Sequence, residues 1–147
     1  MKIDKNKTTG AIKDTKLDWY IIDATDSNLG RLSSKIVYLL MGKNNINYLP
    51  HNNTNISIII INSKKIKVTG KKNKQKTYKR HSGRPGGLKI KPFNKLQEKQ
   101  PNKIIEHAIK GMLPKNTLGK KIFKKLKVYS GNEHPHQSQK PVYLNIK

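Results

Sequence analysis

The 147-residue sequence contains no cysteine, which excludes disulfide staples and thiolate zinc sites and suits a reducing compartment. It is also poor in acids. Eight carboxylates (Asp4, Asp14, Asp18, Asp23, Asp26, Glu98, Glu106 and Glu133) stand against 32 lysines and arginines, a net charge of +24. No acid lies between Ser27 and Gln97, so a compact state of this chain repels itself unless a polyanion is present. Long apolar runs are missing as well: the longest aliphatic run, Ile58 to Ile61, is strand-sized and far too short to span a membrane. The opening MKIDKNKTTGAIKD lacks the apolar core of a secretory signal, so the mature protein is expected to begin near Met1. No repeat period is evident. Arginine occurs only at Arg31, Arg80 and Arg84, while Lys, Ile and Asn abound; these have AT-rich codons and point to an organellar or reduced bacterial genome.

What is present is concentrated in Lys71 to Lys91, KKNKQKTYKRHSGRPGGLKIK. Lys71, Lys72, Lys74, Lys76, Lys79, Arg80, Arg84 and Lys89 supply cations for backbone phosphates, Tyr78 and His81 supply rings, and Gly83, Gly86 and Gly87 let the main chain approach closely. A bare lysine run would be a solvated face or a linker. A linker has no need of the interleaved rings or of Gly-Arg-Pro-Gly-Gly, and the stretch reads as an RNA-binding loop region spanning 71–91.

Along the chain, residues 1–16 show no apolar periodicity and are expected to form a flexible basic arm. Trp19 to Asp23 reads as a strand, with Asp26, Ser27 or Asn28 capping a helix whose apolar positions are Leu29, Leu32, Ile36, Leu39 and Leu40 and whose stop is Gly42. Ile56 to Asn62 reads as a strand buried on both faces, completing a βαβ unit. A third strand is expected over Lys65 to Thr69, and a further one around Tyr78. The second half reads as helical. Gln100, Pro101 and Asn102 open a helix with the face Ile104, Ile105, Ala108, Ile109 and Met112, closed by Gly111 and Pro114. Thr117 then caps a helix with Leu118, Ile122, Phe123 and Leu126 inward and lysines outward. The segment 130–147 reads as an irregular tail, and the whole of 1–147 as one domain.

For catalysis, the best material is Glu133, His134 and His136, which a metal-dependent ribonuclease would need. A structural or RNA-contacting turn explains the same residues more simply. Asp18, Asp23 and Asp26 suggest a Mg²⁺ cluster, but turn and cap positions account for two of them. Between the first strand and helix there is no spaced-glycine dinucleotide fingerprint, and no Gly-Lys-Ser/Thr marks a P-loop. Zinc-finger and basic-zipper patterns are also absent. A basic peripheral membrane protein is the other class that the charge allows, although no apolar span accompanies it. Cations spread over loops, a helix face and the termini suit a folded RNA read by shape.

Six ordered places then carry a resemblance: Asp18-Trp-Tyr-Ile-Ile-Asp-Ala24, Leu29-Gly-Arg-Leu32, Val68-Thr-Gly-Lys71, Tyr78 to Gly87, Lys110-Gly-Met-Leu-Pro114, and Leu126-Lys-Val-Tyr129 with Glu133-His134. From about Asp18 to Pro141 the chain resembles the bacterial-type large-subunit ribosomal protein thirteen family, in its cyanobacterial and plastid branch. The resemblance implies a three-layer α/β/α sandwich with a small, mostly parallel four-stranded sheet, basic loops and extended termini. It implies binding to large-subunit (23S-type) ribosomal RNA, an early role in subunit assembly, and neighbouring large-subunit proteins as partners. No enzyme activity, cofactor, metal, small-molecule substrate or membrane is expected. The expected location is a plastid ribosome with a plastid-encoded gene, the alternative being the cytoplasm of an AT-rich bacterium. Besides the stretch above, the expected RNA contacts are Arg31, Lys43, Lys110, Lys115, Lys120, Lys121, Lys124, Lys125, His134 and His136. Two positions depart from the family pattern. Asn53-Thr-Asn-Ile56 stands where members usually carry an acid and a glycine, and Lys120 stands where they usually carry arginine, which replaces a forked guanidinium by a point charge.

Overall fold

The computed structural model describes residues 17–46 and 48–146, so the arm expected over 1–16 lies outside the described residues. The chain has an α/β fold built on a parallel four-stranded sheet. Its first strand, β1 (Asp18–Asp23), leads through α1 (Leu29–Leu40) to β2 (Ile56–Ile61), and the two strands pair in parallel from Asp18↔Ile56 to Asp23↔Ile61. This is the expected βαβ unit. All six residues of β2 are buried, as a central parallel strand covered on both faces requires, and five of them are isoleucine, whose branched Cβ suits the pleat.

The turn into α1 is held differently from the expectation. Asn28 occupies the cap position, but no side chain caps the helix. The segment 65–67 supplies the partners instead: Leu29 N–H donates to the Lys67 carbonyl, Asp26 N–H to that of Lys65, and Lys67 N–H to that of Ser27. The strand expected over Lys65 to Thr69 is therefore only one isolated bridge, Asn28↔Lys67, after a 3₁₀ turn at Ser63–Lys65. Asp23 serves the turn too. Burial would raise its carboxyl pKa, but hydrogen bonds from Thr25 and Asn62, with Lys65 nearby, outweigh that and hold it below the ordinary value. At the other end of α1, Gly42 adopts φ +70° and donates to the Leu39 carbonyl, which is the expected stop.

After β2 come α2 (Lys72–Gln75), the antiparallel pair β3 (Thr77–His81) and β4 (Leu88–Pro92), and α3 (Phe93–Lys99). The strand at Tyr78 was expected; α2 and α3 were not. Helix α4 (Asn102–Met112) runs through Gly111 and buries Ile104, Ile105 and Ile109 against α1, while Met112, expected on that face, is exposed. Helix α5 (Thr117–Phe123) starts one residue earlier than read: Asn116 Oδ1 accepts the Gly119 N–H at 2.8 Å. It also ends earlier, because Leu126 belongs to β5 (Leu126–Val128), which pairs in parallel with β2. The tail likewise contains structure: β6 (Val142–Tyr143) joins β1, giving the sheet order β5-β2-β1-β6.

One face of the sheet (Ile22, Ile58, Ile60 and Leu126) meets α1, α3, α4 and α5 in the main core, where Phe93, Ile36 and Ile104 are at most 1% exposed. The opposite face (Ile21, Ile59 and Ile61) packs against Trp19 and Tyr129. His136 from the returning tail stacks on Trp19 with ring centroids 5.2 Å apart, and its Nε2 lies 2.9 Å from the Tyr129 hydroxyl. The tail is thereby pinned over this face of the sheet.

Candidate nucleic-acid interface

The basic stretch is a hairpin, and its register sorts its side chains. Opposed residues of an antiparallel pair share a face, so Lys79 and His81 lie with Ile90 and Leu88, while Tyr78 and Arg80 lie with Lys91 and Lys89. Cations therefore project from both faces of the ribbon. Lys79, Arg80, His81, Arg84, Lys89 and Lys91 are all exposed. Lys67 pairs with Asp26 at 2.8 Å, outside the ribbon.

The turn at the tip is closed by backbone. Ser82 N–H donates to the Gly87 carbonyl, Gly87 N–H to the Arg84 carbonyl, and Gly83 N–H to His81 Nδ1 at 2.9 Å, which fixes the imidazole within the turn. Gly83 and Gly86 have φ of +88° and +72°, a region that other residues enter at a cost. Gly87 is needed for another reason: a Cβ there would stand 2.0 Å from Ser82 Oγ and 2.9 Å from the Arg84 carbonyl oxygen.

Tyr78, expected among the RNA contacts, has part of its ring packed against the protein. Its ring is half-buried, edge-on to His107 of α4 at 5.3 Å and with Lys76 Nζ 5.5 Å from its centroid, and burial raises its phenol above the ordinary range. It fastens the ribbon to the core. Ahead of it, Lys71, Lys72 and Lys74 are exposed on and before α2, and Lys72 and Lys76 line a cleft with Leu29 and Gly30 at the positive end of α1.

The remaining expected contacts do not gather into this ribbon. Arg31 on α1 and Lys43 beyond it are exposed, as are Lys110 on α4 and Lys115, Lys120, Lys121 and Lys124 on and around α5. Lys125 differs. Its Nζ donates to Asn53 Oδ1 at 3.0 Å and to the Thr54 carbonyl, and burial pushes its ammonium below the ordinary value. It closes the loop before β2, the place where the sequence departs from the family pattern. His134 and His136 are partly buried: His134 Nδ1 accepts the His136 N–H at 3.3 Å, and His136 Nε2 lies 2.9 Å from the Tyr129 hydroxyl. Among the described residues no group of three His, Cys, Asp or Glu could hold a metal ion, and no helix is long and apolar enough to cross a membrane. Sequence reading overlooked Lys95 and Lys99. Their spacing of four around the buried Leu96, just after Pro92, was the available sign of a short amphipathic helix.

The two kinds of lysine are separable by experiment. Lys125→Ala should lower stability by about 1 kcal/mol, a net value for a partly exposed charged donor, and leave the salt dependence of RNA binding unchanged. Lys124→Ala should melt like the parent and reduce the log-log salt slope by about 0.7 to 0.9. Thermal melting and filter binding of the two variants check this.

A family model of Ribosomal protein L13 matches residues 17–135. The chain is 60% identical over 129 residues to the large ribosomal subunit protein uL13 of Nostoc sp., covering 88% of this chain and 85% of that one. The uL13 proteins of Thermosynechococcus vestitus and Prochlorococcus marinus are 58% and 54% identical, over 92% and 96% of this chain and 90% and 95% of theirs. With the βαβ core, the glycine-tipped basic hairpin and these matches over most of its length, the chain belongs to the Ribosomal protein L13 family of the large ribosomal subunit.

Proposed function

We propose that the chain binds large-subunit ribosomal RNA through the β3–β4 ribbon, supported by α2 and the outer face of α5, and that it enters the subunit early in assembly. The observation that carries this reading is the ribbon with exposed cations on both faces. A flat basic patch meets one backbone strand; a ribbon charged on both sides is suited to insertion between two, where each face neutralises its own phosphates. The net charge of +24 supports an early role, because such a chain gains most from joining the RNA before other cations have neutralised it. Neighbouring large-subunit proteins are the further partners. The similarity to cyanobacterial relatives and the AT-rich residue usage support a plastid ribosome as the location, and fractionating cells for the protein tests that.

Binding to a large-subunit RNA fragment should be steeply salt-dependent. Six or more neutralised phosphates give a log-log slope steeper than about −4. A slope near zero would sink the electrostatic reading, and effective competition by anionic vesicles would favour a membrane surface. Pulse-labelled assembly intermediates should contain the protein in the smallest precursor particles; first appearance in nearly complete subunits would refute the early role.

A further inference from the structure

Between β4 and α3 the surface holds a groove of about 280 Å³. Its apolar lining is Ile90, Pro92 and Leu96, and it is flanked by Lys91, Lys95 and Lys99, with Gln100 at the end of α3. Ile90 is 52% exposed, so a large aliphatic side chain faces solvent between Lys89 and Lys91. Lys95 and Lys99 lie one turn apart on α3, and Lys91 reaches the groove from β4. Ile90 stands directly opposite Lys79, so the groove continues the ribbon face that carries Lys79 and His81.

From this combination we infer that the groove receives one unstacked base of the RNA held by the hairpin, an inference that rests on the RNA-binding reading above. Size comes first. At about 280 Å³ the groove falls just below the roughly 300–1,000 Å³ of small-molecule sites, with room for a single flat ring system and not for a helix of a partner protein. Charge comes second. An apolar lining bordered by lysines complements a nucleotide, whose ring has an apolar face and whose two flanking phosphates are anionic. The third point is the amide of Gln100, which offers both a donor and an acceptor to a base edge. Ile90, Pro92 and Leu96 cannot read sequence, so any base preference comes from that amide.

The test uses the full chain assembled into large subunits, with a benzophenone-bearing residue in place of Ile90 and, separately, Ile90→Glu. Both changes fall on a half-exposed strand position, and thermal melting like the parent's shows that the fold is kept. The expected result is a photo-crosslink to one or two unpaired nucleotides of large-subunit RNA. In the Ile90→Glu subunits the same nucleotides should become several-fold more reactive to base-specific chemical probes. A crosslink to protein alone means that the groove holds an acidic peptide segment, and it overturns the inference. Unchanged base reactivity in Ile90→Glu overturns it too. The salt slope of the same preparations separates the two levels: a flat slope defeats RNA binding and the groove together, whereas a steep slope without the crosslink defeats the groove alone.

Discussion

Gly119→Ala is expected to lower the melting temperature by several degrees, up to about 12 °C. Gly119 is buried in α5, and a Cβ there would lie 1.9 Å from the Pro114 carbonyl oxygen and 2.9 Å from its carbonyl carbon. Both are backbone atoms, so no side-chain rotation relieves the clash. Moving Pro114 means moving the turn that seats Leu113, 5% exposed, in the core, or displacing Asn116, whose side chain caps the helix through the Gly119 N–H. Overpacking costs about 1–3 kcal/mol, and loss of the cap adds about 1. The better helix propensity of alanine returns only about 1 kcal/mol, so destabilisation wins. A net loss of about 1–3 kcal/mol in a chain of this length corresponds to roughly 2–12 °C. Gly111→Ala is the internal control: that glycine lies in α4, a Cβ there meets nothing within 4 Å, and alanine should leave the melting point unchanged or raise it. Equal melting of the two variants would show that the Pro114 turn yields freely.

What could be read from the sequence is what local pattern determines. The continuous isoleucines of β2, the helical spacing of Leu29, Leu32, Ile36 and Leu40, and Gly42 each carry their own signal, and the structure has a strand, a helix and a left-handed stop at those places. Errors arose where a distant partner decides. Lys65 to Thr69 has strand-like composition, but Gln97 of α3 donates to the carbonyls of Lys64 and Ile66, and the segment ties off the start of α1 instead of extending the sheet. Leu126 fits the stripe of α5, yet β2 offers an unpaired edge, and three residues of parallel ladder outweigh another helical turn. Tyr78 and Lys125 look from the sequence like any ring or cation in a basic protein. Only the fold shows that His107 and the Asn53–Thr54 loop already occupy them. The tail strand β6 has two residues and no pattern of its own; the Trp19–His136–Tyr129 cluster holds the tail from which it reaches β1. As a member of a family of large-subunit ribosomal proteins the chain works in the ribosome and is not an enzyme.

Replacing Gly86 and Gly87 together by valine should impair incorporation into large subunits as much as Lys79→Ala with Arg80→Ala, by roughly tenfold or more, about 1.4 kcal/mol. The two glycines fail for different reasons. At φ +72° Gly86 has open space around it, so valine there costs backbone strain of about 1–2 kcal/mol without any clash. Gly87 has no such φ, but its missing Cβ makes room for Ser82 Oγ and the Arg84 carbonyl; Ser82 can rotate away, whereas the carbonyl belongs to the turn's own hydrogen bond. Opening that turn releases the register that sets Lys79 and Arg80 on opposite faces opposite Ile90 and Lys89. The cations remain present and lose their placement. Thermal melting should change by only a few degrees, because residues 82–87 contribute nothing to the buried core and Tyr78 still anchors the base of the ribbon. Melting and incorporation measured side by side on the two double variants decide the matter. A glycine variant that melts normally and assembles like the parent would show that charge alone matters and that the turn is a passive connection. If instead it assembles poorly with its cations intact, the ribbon acts through its shape.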